Sequence, residues 1–296
     1  MKTRPLPVLT HDAFFHGRMR VKQPRRGYRF SIDAVLLAGE MAPRARDRVV
    51  DLGTGCGIIP MLLAFGHPDL RLWGVELQAD LAALAAENIR DNGWADRVTI
   101  LQTDMRRLGP ERFSGPVDRV VANPPYRRDR SGRVNPDAQC AVARHEIAIT
   151  LPELLVTAKR ILKTGGRFHV IYSAERAAEL LARMCAEGIE PKRLRSIHSA
   201  AGEDARRVTV EGVKAGRPGL TVSPPLVVYD EGGSYSTEVQ AMLRGTPHAG
   251  DVSGRQPDPF PCQSASGCDR FEGLAPPSAA DWQAVSEAIF NLDTAR

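Results

Sequence analysis

Four consecutive residues with the potential for chemistry, Asn123-Pro124-Pro125-Tyr126, follow directly on a short apolar run. Such a run predicts a buried strand, which would place Asn123 at the carboxyl end of that strand, where an open α/β sheet binds its ligands. Each proline fixes its own φ angle and restricts the residue before it. The Asn123 amide oxygen and the Pro124 carbonyl would then form a rigid pair of acceptors that suits a planar amino group. A plain turn between strand and loop is the alternative.

A glycine-rich motif, Asp51-Leu52-Gly53-Thr54-Gly55-Cys56-Gly57, precedes this element in the chain and stands between a predicted strand and a predicted helix. Its glycines permit a tight turn whose backbone approaches a ligand closely, with the N–H groups of the helix facing that ligand. The dinucleotide fingerprint needs its third glycine one place later, where Ile58 stands. A nicotinamide cofactor is therefore the weaker interpretation, and a turn without a ligand is the remaining alternative.

Length and composition predict an ordinary soluble enzyme. The chain has 296 residues, of which 43% are hydrophobic, enough for a sizeable core. It has no signal-peptide pattern and no run approaching the roughly 18 apolar residues of a membrane span, so we expect a cytoplasmic location without a membrane partner. Five cysteines, an odd number without Cys-x-x-Cys spacing, argue against a disulfide framework and against a zinc or other metal site.

Apolar runs alternate with helical spacing through the middle of the chain, which predicts βαβ units and a parallel sheet covered on both faces. Gly93 and the pair Gly165-Gly166 are expected to end helices. A polar link between two further strands predicts an antiparallel hairpin at one end of the sheet. The predicted strands are 48–52, 70–75, 98–101, 117–122, 168–172, 193–200 and 207–214, with a possible edge strand at 226–230; the predicted helices are 58–64, 79–92, 151–162 and 174–187.

Three segments follow from this pattern. Residues 1–46 are expected to form an N-terminal hairpin and helix extension, and residues 47–243 the main α/β domain. From 244 to 296 the composition shifts to Gly, Pro, Ser and Asp, which predicts a flexible tail with one possible short helix at 282–292.

The two motifs together resemble the amino-methylating group of S-adenosylmethionine (SAM)-dependent methyltransferases. In that group an Asn/Asp-Pro-Pro-aromatic element holds the exocyclic nitrogen of adenine, cytosine or guanine, or the side-chain amide of glutamine. The resemblance implies a seven-stranded Rossmann-like sheet. It also implies that Asp51, Gly53 and Gly55 hold the methionine and ribose parts of SAM, and that Asn123 and Pro124 orient the amine that accepts the methyl group.

Two carboxylates are candidates for the rest of the cofactor site. Glu76 ends the second predicted strand, where a carboxylate can accept hydrogen bonds from both ribose hydroxyls. Asp104 follows the third predicted strand and resembles the family residue that accepts from the adenine amino group. The alternatives are a solvated carboxylate at Glu76 and a helix or turn cap at Asp104.

Aromatic and basic residues accompany the Asn-Pro-Pro element. Tyr126 could stack on a base drawn out of an RNA stack, or pack in the core. The net charge is +5, and the arginines Arg25, Arg26, Arg127 and Arg128 are candidates for RNA phosphate binding. They belong to two basic clusters, comprising Arg18, Arg20, Lys22, Arg25, Arg26 and Arg29 in the first and Arg127, Arg128, Arg130 and Arg133 in the second. A solvated charged face is the alternative.

A narrower resemblance rests on residues 15–38, the Asn-Pro-Pro-Tyr element, residues 143–146, and the later stretches 218–221 and 225–230. These are similar to the bacterial valine-tRNA adenine N6-methyltransferase family, which modifies the adenosine 3′ to the anticodon. The resemblance implies a SAM-dependent enzyme acting on adenine N6 in tRNA. Three alternatives stay open, namely a glutamine methyltransferase of release factors, a guanine N2-methyltransferase of ribosomal RNA, and an inactive RNA-binding factor of the same fold.

Overall fold

A computed structural model describes residues 9–15, 17–25, 29–125 and 149–244. Arg26, Tyr126, Arg127, Arg128, the segment 245–296 and the predicted helix at 282–292 lie outside the described residues, so the expectations about them stay predictions. The described chain opens with an antiparallel hairpin of β1 (Leu9–Phe14) and β2 (Met19–Pro24), followed by helix α1 (Ile32–Glu40).

A single mixed sheet forms the centre of the fold, and helices cover both of its faces. Its strands are β3 (Arg48–Leu52), β4 (Arg71–Glu76), β5 (Val98–Gln102), β6 (Val117–Ala122), β7 (Leu162–Ser173), β8 (Ile189–His198), β9 (Ala205–Lys214), β10 (Thr221–Val222) and β11 (Leu226–Val227). The helices after α1 are α2 (Ile58–Gly66), α3 (Ala79–Asp91), α4 (Leu151–Ile161), α5 (Ala177–Ala186) and α6 (Thr237–Arg244).

The strand order is β8-β9-β7-β6-β3-β4-β5, with β10 and β11 pairing in parallel with β8. Strands β3 to β7 are parallel to one another, and β9 runs antiparallel to both β7 and β8. The chain reverses direction along the sheet between β3 and β6, and such switch points are where open α/β sheets bind ligands. This order confirms the predicted Rossmann-like sheet with its terminal antiparallel hairpin.

The sheet separates two apolar cores. The N-terminal hairpin, α1, α2 and α6 pack in one core, with Met19, Leu36 and Met61 fully buried. Helices α4 and α5 cover the other face around Phe113 and Phe168. Among the described residues, no helix is both long and apolar enough to cross a membrane.

The prediction that Gly165-Gly166 end a helix is wrong. Helix α4 ends at Ile161, and both glycines lie within β7. Leu162 pairs with Val117 and Arg167 with Arg119, so four residues of β7 stand against one of β6, and Gly165 has a φ of 75°. The two glycines therefore lie in a β-bulge. Gly165 suits this position because a backbone with positive φ is strained for residues that carry a side chain.

Helix α6 was not predicted, since its short sequence lies next to the polar tail. A buried ion-pair network fastens it to the sheet. Arg195 of β8, 6% exposed at its side chain, bonds Glu40 of α1 and Glu238 of α6. The network thus joins three elements that are far apart in the sequence.

Candidate functional site

The register of four strands brings the predicted site residues to one edge of the sheet. Asp51 pairs with Val121, so the glycine turn and Asn123 leave adjacent strands at the same level. Leu52 pairs with Val75 on the other side, which sets Glu76 beside the turn. Along the edge the order is Asp104, Glu76, the glycine turn and Asn123. Since strands lie about 4.8 Å apart, this row spans about 14 Å.

The glycine turn is anchored to the neighbouring strand. The N–H groups of Gly53 and Thr54 both donate to the Val75 carbonyl at 2.9 Å. Gly53, Gly55 and Gly57 have φ angles of 82°, 58° and 87°, which side chains rarely adopt. Of the residues that the structure describes, a β-carbon added at Gly53 would meet only Met105, at 3.9 Å, so these residues leave the space above the turn open. The turn therefore forms a cradle whose backbone a ligand can approach.

Glu76 supports this cradle as well as facing it. It is 7% exposed. Its Oε2 accepts the Gly55 N–H and its Oε1 accepts the Gln78 N–H, both at 2.9 Å. Each carboxylate oxygen can accept a second bond. Glu76 can therefore hold the turn and still accept hydrogen bonds from a diol.

Asp51 and Thr54 form the electrostatic centre of the cradle. Within the described residues, both carboxylate oxygens of Asp51 and the hydroxyl of Thr54 are buried and have no hydrogen-bond partner. Burial raises the pKa of Asp51 to about 7, and the negative charge of Glu76 adds to this rise. The nearby Thr54 hydroxyl opposes the rise in part, although it forms no hydrogen bond with the carboxylate in the described residues. A buried carboxylate without partners is costly, so a cationic ligand would stabilise it. SAM, which carries a sulfonium and an ammonium group, fits this requirement.

The raised pKa of Asp51 leads to a pH prediction. Below pH 7 the Asp51 carboxylate of the SAM-free protein is mostly protonated, and only its ionised form attracts the cation. We therefore expect SAM affinity to fall about tenfold for each pH unit from about pH 7 towards pH 5.5. Asp51→Asn should bind SAM weakly and lose this slope. Calorimetry between pH 5.5 and 8 measures both. A flat wild-type profile below pH 7 would exclude Asp51 from contact with the cation; the α-amino group of SAM titrates at about pH 8, above this window.

Asp104 has a different environment from the one expected. Its carboxylate accepts the Arg106 N–H at 2.9 Å, so it caps a short 3-10 helix (Met105–Arg107), and it also accepts from the Arg106 guanidinium at 2.7 to 3.0 Å. Arg106 in turn reaches Glu153 of α4 at 3.5 Å. These bonds to Arg106 lower the pKa of Asp104. Adenine contact by Asp104 stays a prediction, and it requires the carboxylate to share its acceptors with Arg106.

The Asn-Pro-Pro element lies where the sequence predicted it. Asn123 follows β6 directly and is half-buried, Pro124 is buried and Pro125 is exposed. Asn123 thus stands at the carboxyl edge, beside the glycine turn on β3. The proposed acceptor pair and the cofactor cradle are therefore neighbours.

Two site residues were missed from the sequence. Thr54 lies inside the glycine motif, but only the structure shows its hydroxyl buried beside Asp51. Asn88 is a fully buried polar residue in α3 whose side chain donates to the Cys56 carbonyl of the turn at 2.9 Å. A polar residue on the apolar face of an Ala- and Leu-rich helix was the available signal, since buried amides need partners.

The sheet order, the open glycine cradle and its partnerless buried carboxylate define a SAM-dependent methyltransferase. Comparison with known families agrees with this class. The chain belongs to the Methyltransferase small domain family, whose model matches residues 29–187, more than half of the chain.

Individual proteins are similar to this chain over most of its length. The chain is 26% identical over 231 residues to the tRNA1(Val) (adenine(37)-N6)-methyltransferase of Tolumonas auensis, covering 78% of this chain and 94% of that protein. It is 29% identical over 243 residues to the protein of the same name from Porphyromonas gingivalis, covering 77% and 91%. A solved structure of a predicted O-methyltransferase from Agrobacterium tumefaciens superposes with a TM-score of 0.59 at 25% identity, covering 74% of this chain and all of that one.

Proposed function

We propose that this enzyme transfers the methyl group of SAM to N6 of adenine 37 in a valine tRNA. One observation carries the proposal, namely the position of Asn123-Pro124-Pro125 at the end of β6, beside the cofactor turn of β3. The names of the relatives from Tolumonas auensis and Porphyromonas gingivalis support the choice of adenine and of tRNA.

The chemistry requires orientation more than proton abstraction. The lone pair of an adenine amine is delocalised into the ring, so the nitrogen must be aimed at the methyl group. The Asn123 Oδ1 and the Pro124 carbonyl would accept the two amine hydrogens and fix that direction. SAM would supply an electrophilic methyl group: as the N–C bond forms, the S–C bond breaks, S-adenosylhomocysteine leaves, and the methylated amine releases one proton to water. Asp51, Gly53, Gly55 and Glu76 would hold SAM. Tyr126 is proposed as the surface on which the flipped base stacks.

A direct assay tests this function. The full-length protein is incubated with methyl-labelled SAM and an unmodified valine tRNA transcript, and the tRNA is digested to nucleosides for mass spectrometry. We expect labelled N6-methyladenosine, and none from a transcript with guanine at position 37. Parallel reactions supply a release factor or ribosomal RNA in place of the tRNA. Label in a release-factor glutamine or in guanine N2 of ribosomal RNA, with none in the tRNA, would refute the proposal.

The structure refines the choice of RNA-binding arginines. Lys22 pairs with Glu87 and Asp91, and Arg29 with Asp12, so these two basic residues have intramolecular partners. Arg25 is exposed, one residue beyond β2. Arg25, together with Arg26, Arg127 and Arg128, stays the proposed phosphate-binding set.

Replacing these four arginines with glutamine should weaken tRNA binding and flatten its salt dependence. Each lost phosphate contact should reduce the slope of log affinity against log salt by about 0.7 to 0.9. Arg44→Gln is the control, because Arg44 is exposed just before β3, at the opposite edge of the sheet. Binding is measured between about 50 and 200 mM salt. An unchanged slope in the fourfold variant would show a solvated face instead.

A further inference from the structure

Side chains of α3, rather than another strand, cover the outer edge of β2. The Lys22 N–H donates to Asn88 Oδ1 at 2.8 Å, and the Lys22 carbonyl accepts from Asn88 Nδ2 at 2.9 Å. Arg20 makes the same two bonds with Asn92, at 2.9 and 2.8 Å. Four residues of helix rise about 6 Å and two residues of strand about 6.8 Å, so the two spacings match. Both amides therefore pair with β2 as a neighbouring strand would.

The two asparagines differ in their remaining contact. Asn88 Nδ2 also donates to the carbonyl of Cys56, between the last two glycines of the glycine turn, at 2.9 Å. Asn92 Nδ2 instead donates to the carbonyl of Asn88, within its own helix, at 2.8 Å. Asn88 is 1% exposed, so water cannot replace its partners. Only Asn88 of the pair joins the hairpin to the cofactor turn.

Strand β2 leads towards the carboxyl edge of the sheet, where the proposed function places the substrate. Helix α3 starts after β4 at the carboxyl edge and runs away from it, and β2 runs antiparallel to α3, from Asn92 past Asn88. Next to Lys22, the Gln23 Oε1 accepts the N–H of Phe30 at 3.3 Å. This bond ties the end of β2 to the start of α1. Arg25 therefore lies at the carboxyl edge of the sheet.

We propose that Asn88 is a positioning residue for methyl transfer, holding the N-terminal hairpin in one register against the cofactor turn. One amide then fixes both the backbone that receives SAM and the strand that leads to the substrate-facing Arg25. Aspartate could not replace it, because both Nδ2 bonds go to carbonyl oxygens and a carboxylate has no donor. The part of the proposal that concerns substrate rests on the proposed function; the link to the cofactor turn does not.

Hydrogen exchange in the ligand-free, full-length protein tests the link. Asn88→Ala should speed exchange in both segments 20–25 and 53–57, whereas Asn92→Ala should affect 18–21 and leave 53–57 as in wild type. Asn92→Ala is a matched control, because it removes the equivalent pair of bonds to β2, which Asn92 makes with Arg20. Thermal unfolding of both variants shows the temperature range in which each is folded.

SAM binding and methyl transfer should also distinguish Asn88→Ala from Asn92→Ala. Asn88→Ala should weaken SAM binding about tenfold in calorimetry, as for the loss of one or two buried hydrogen bonds. At saturating SAM it should also slow single-turnover transfer to tRNA about tenfold, because the substrate side loses its register. Asn92→Ala should stay within about twofold of wild type in both measurements.

Equal effects of the two variants on segment 53–57 and on SAM affinity would overturn the proposal, since Asn88 would then be a structural residue only. If Asn88→Ala does not fold, Asn88→Asp carries the test, because it keeps the acceptor for Lys22 and loses both donors. A wild-type protein that binds SAM but leaves tRNA unmethylated would refute the proposed function. Exchange and calorimetry would still decide the role of Asn88 at the cofactor turn.

Discussion

Asn123→Ala is expected to lower the single-turnover rate of methyl transfer at least about a hundredfold, the scale for losing one oriented polar group at a reacting centre. The variant removes one of the two acceptors that we propose aim the amine. It leaves the glycine cradle and Glu76 intact, so SAM affinity should change little, and tRNA affinity should also change far less than the rate.

The measurement is transfer of labelled methyl from saturating SAM to a valine tRNA transcript, with binding of each ligand followed separately. Asn123→Asp is the conservative comparison, because it keeps an acceptor oxygen at the same distance from the backbone. We expect it to retain more activity than alanine. Near wild-type transfer by Asn123→Ala would remove the amide from the reaction.

Glu76→Ala is expected to weaken SAM binding by about 1.5 to 3 kcal/mol, the range for hydrogen bonds to a charged group. Two causes act together, since the variant removes the acceptor that we propose for the ribose hydroxyls and also releases the N–H groups of Gly55 and Gln78. Glu76→Gln should not restore affinity, because both oxygens accept backbone N–H groups and an amide would turn its NH₂ towards one of them.

Calorimetry at pH 8 tests this expectation with Asp51 ionised. Asp80→Ala is the control, since Asp80 is an exposed carboxylate in the first turn of α3, four positions further along the chain. It should bind SAM within about twofold of wild type. Wild-type affinity in a folded Glu76→Ala variant would place Glu76 outside the cofactor site.

Local patterns predicted much of this architecture. Strand ends, the glycine turn and the Asn-Pro-Pro element are coded over a few residues each, and the βαβ rule then brings Glu76 and Asn123 to one edge. Features that depend on distant contacts were not predictable. Lys22 is in an ion pair because α3 supplies Glu87, and Gly165 serves a bulge because β7 pairs with β6. Neither partner is visible in the local sequence.

For Asp104, too, the local sequence predicted the position of the residue but not its contacts. Its place after β5 follows from local pattern, but its bonds to Arg106 depend on how one turn of 3-10 helix closes. The roles of Tyr126 and of Arg127 and Arg128 stay predictions. They follow the Asn-Pro-Pro element in sequence and lie outside the described residues.

The ion-pair network of Arg195, Glu40 and Glu238 indicates how far along the chain the folding unit extends. The family model stops at residue 187, before β8 begins. Yet Glu40 lies inside the matched segment, and its partner Arg195 and their shared neighbour Glu238 lie beyond it. A fragment cut at 187 would lose the four strands β8 to β11 and leave Glu40 without its guanidinium partner. Removing one member of a buried ion pair is strongly destabilising. We therefore expect the smallest part of this enzyme that folds alone to extend through α6, well past residue 187, where the match to the family model ends.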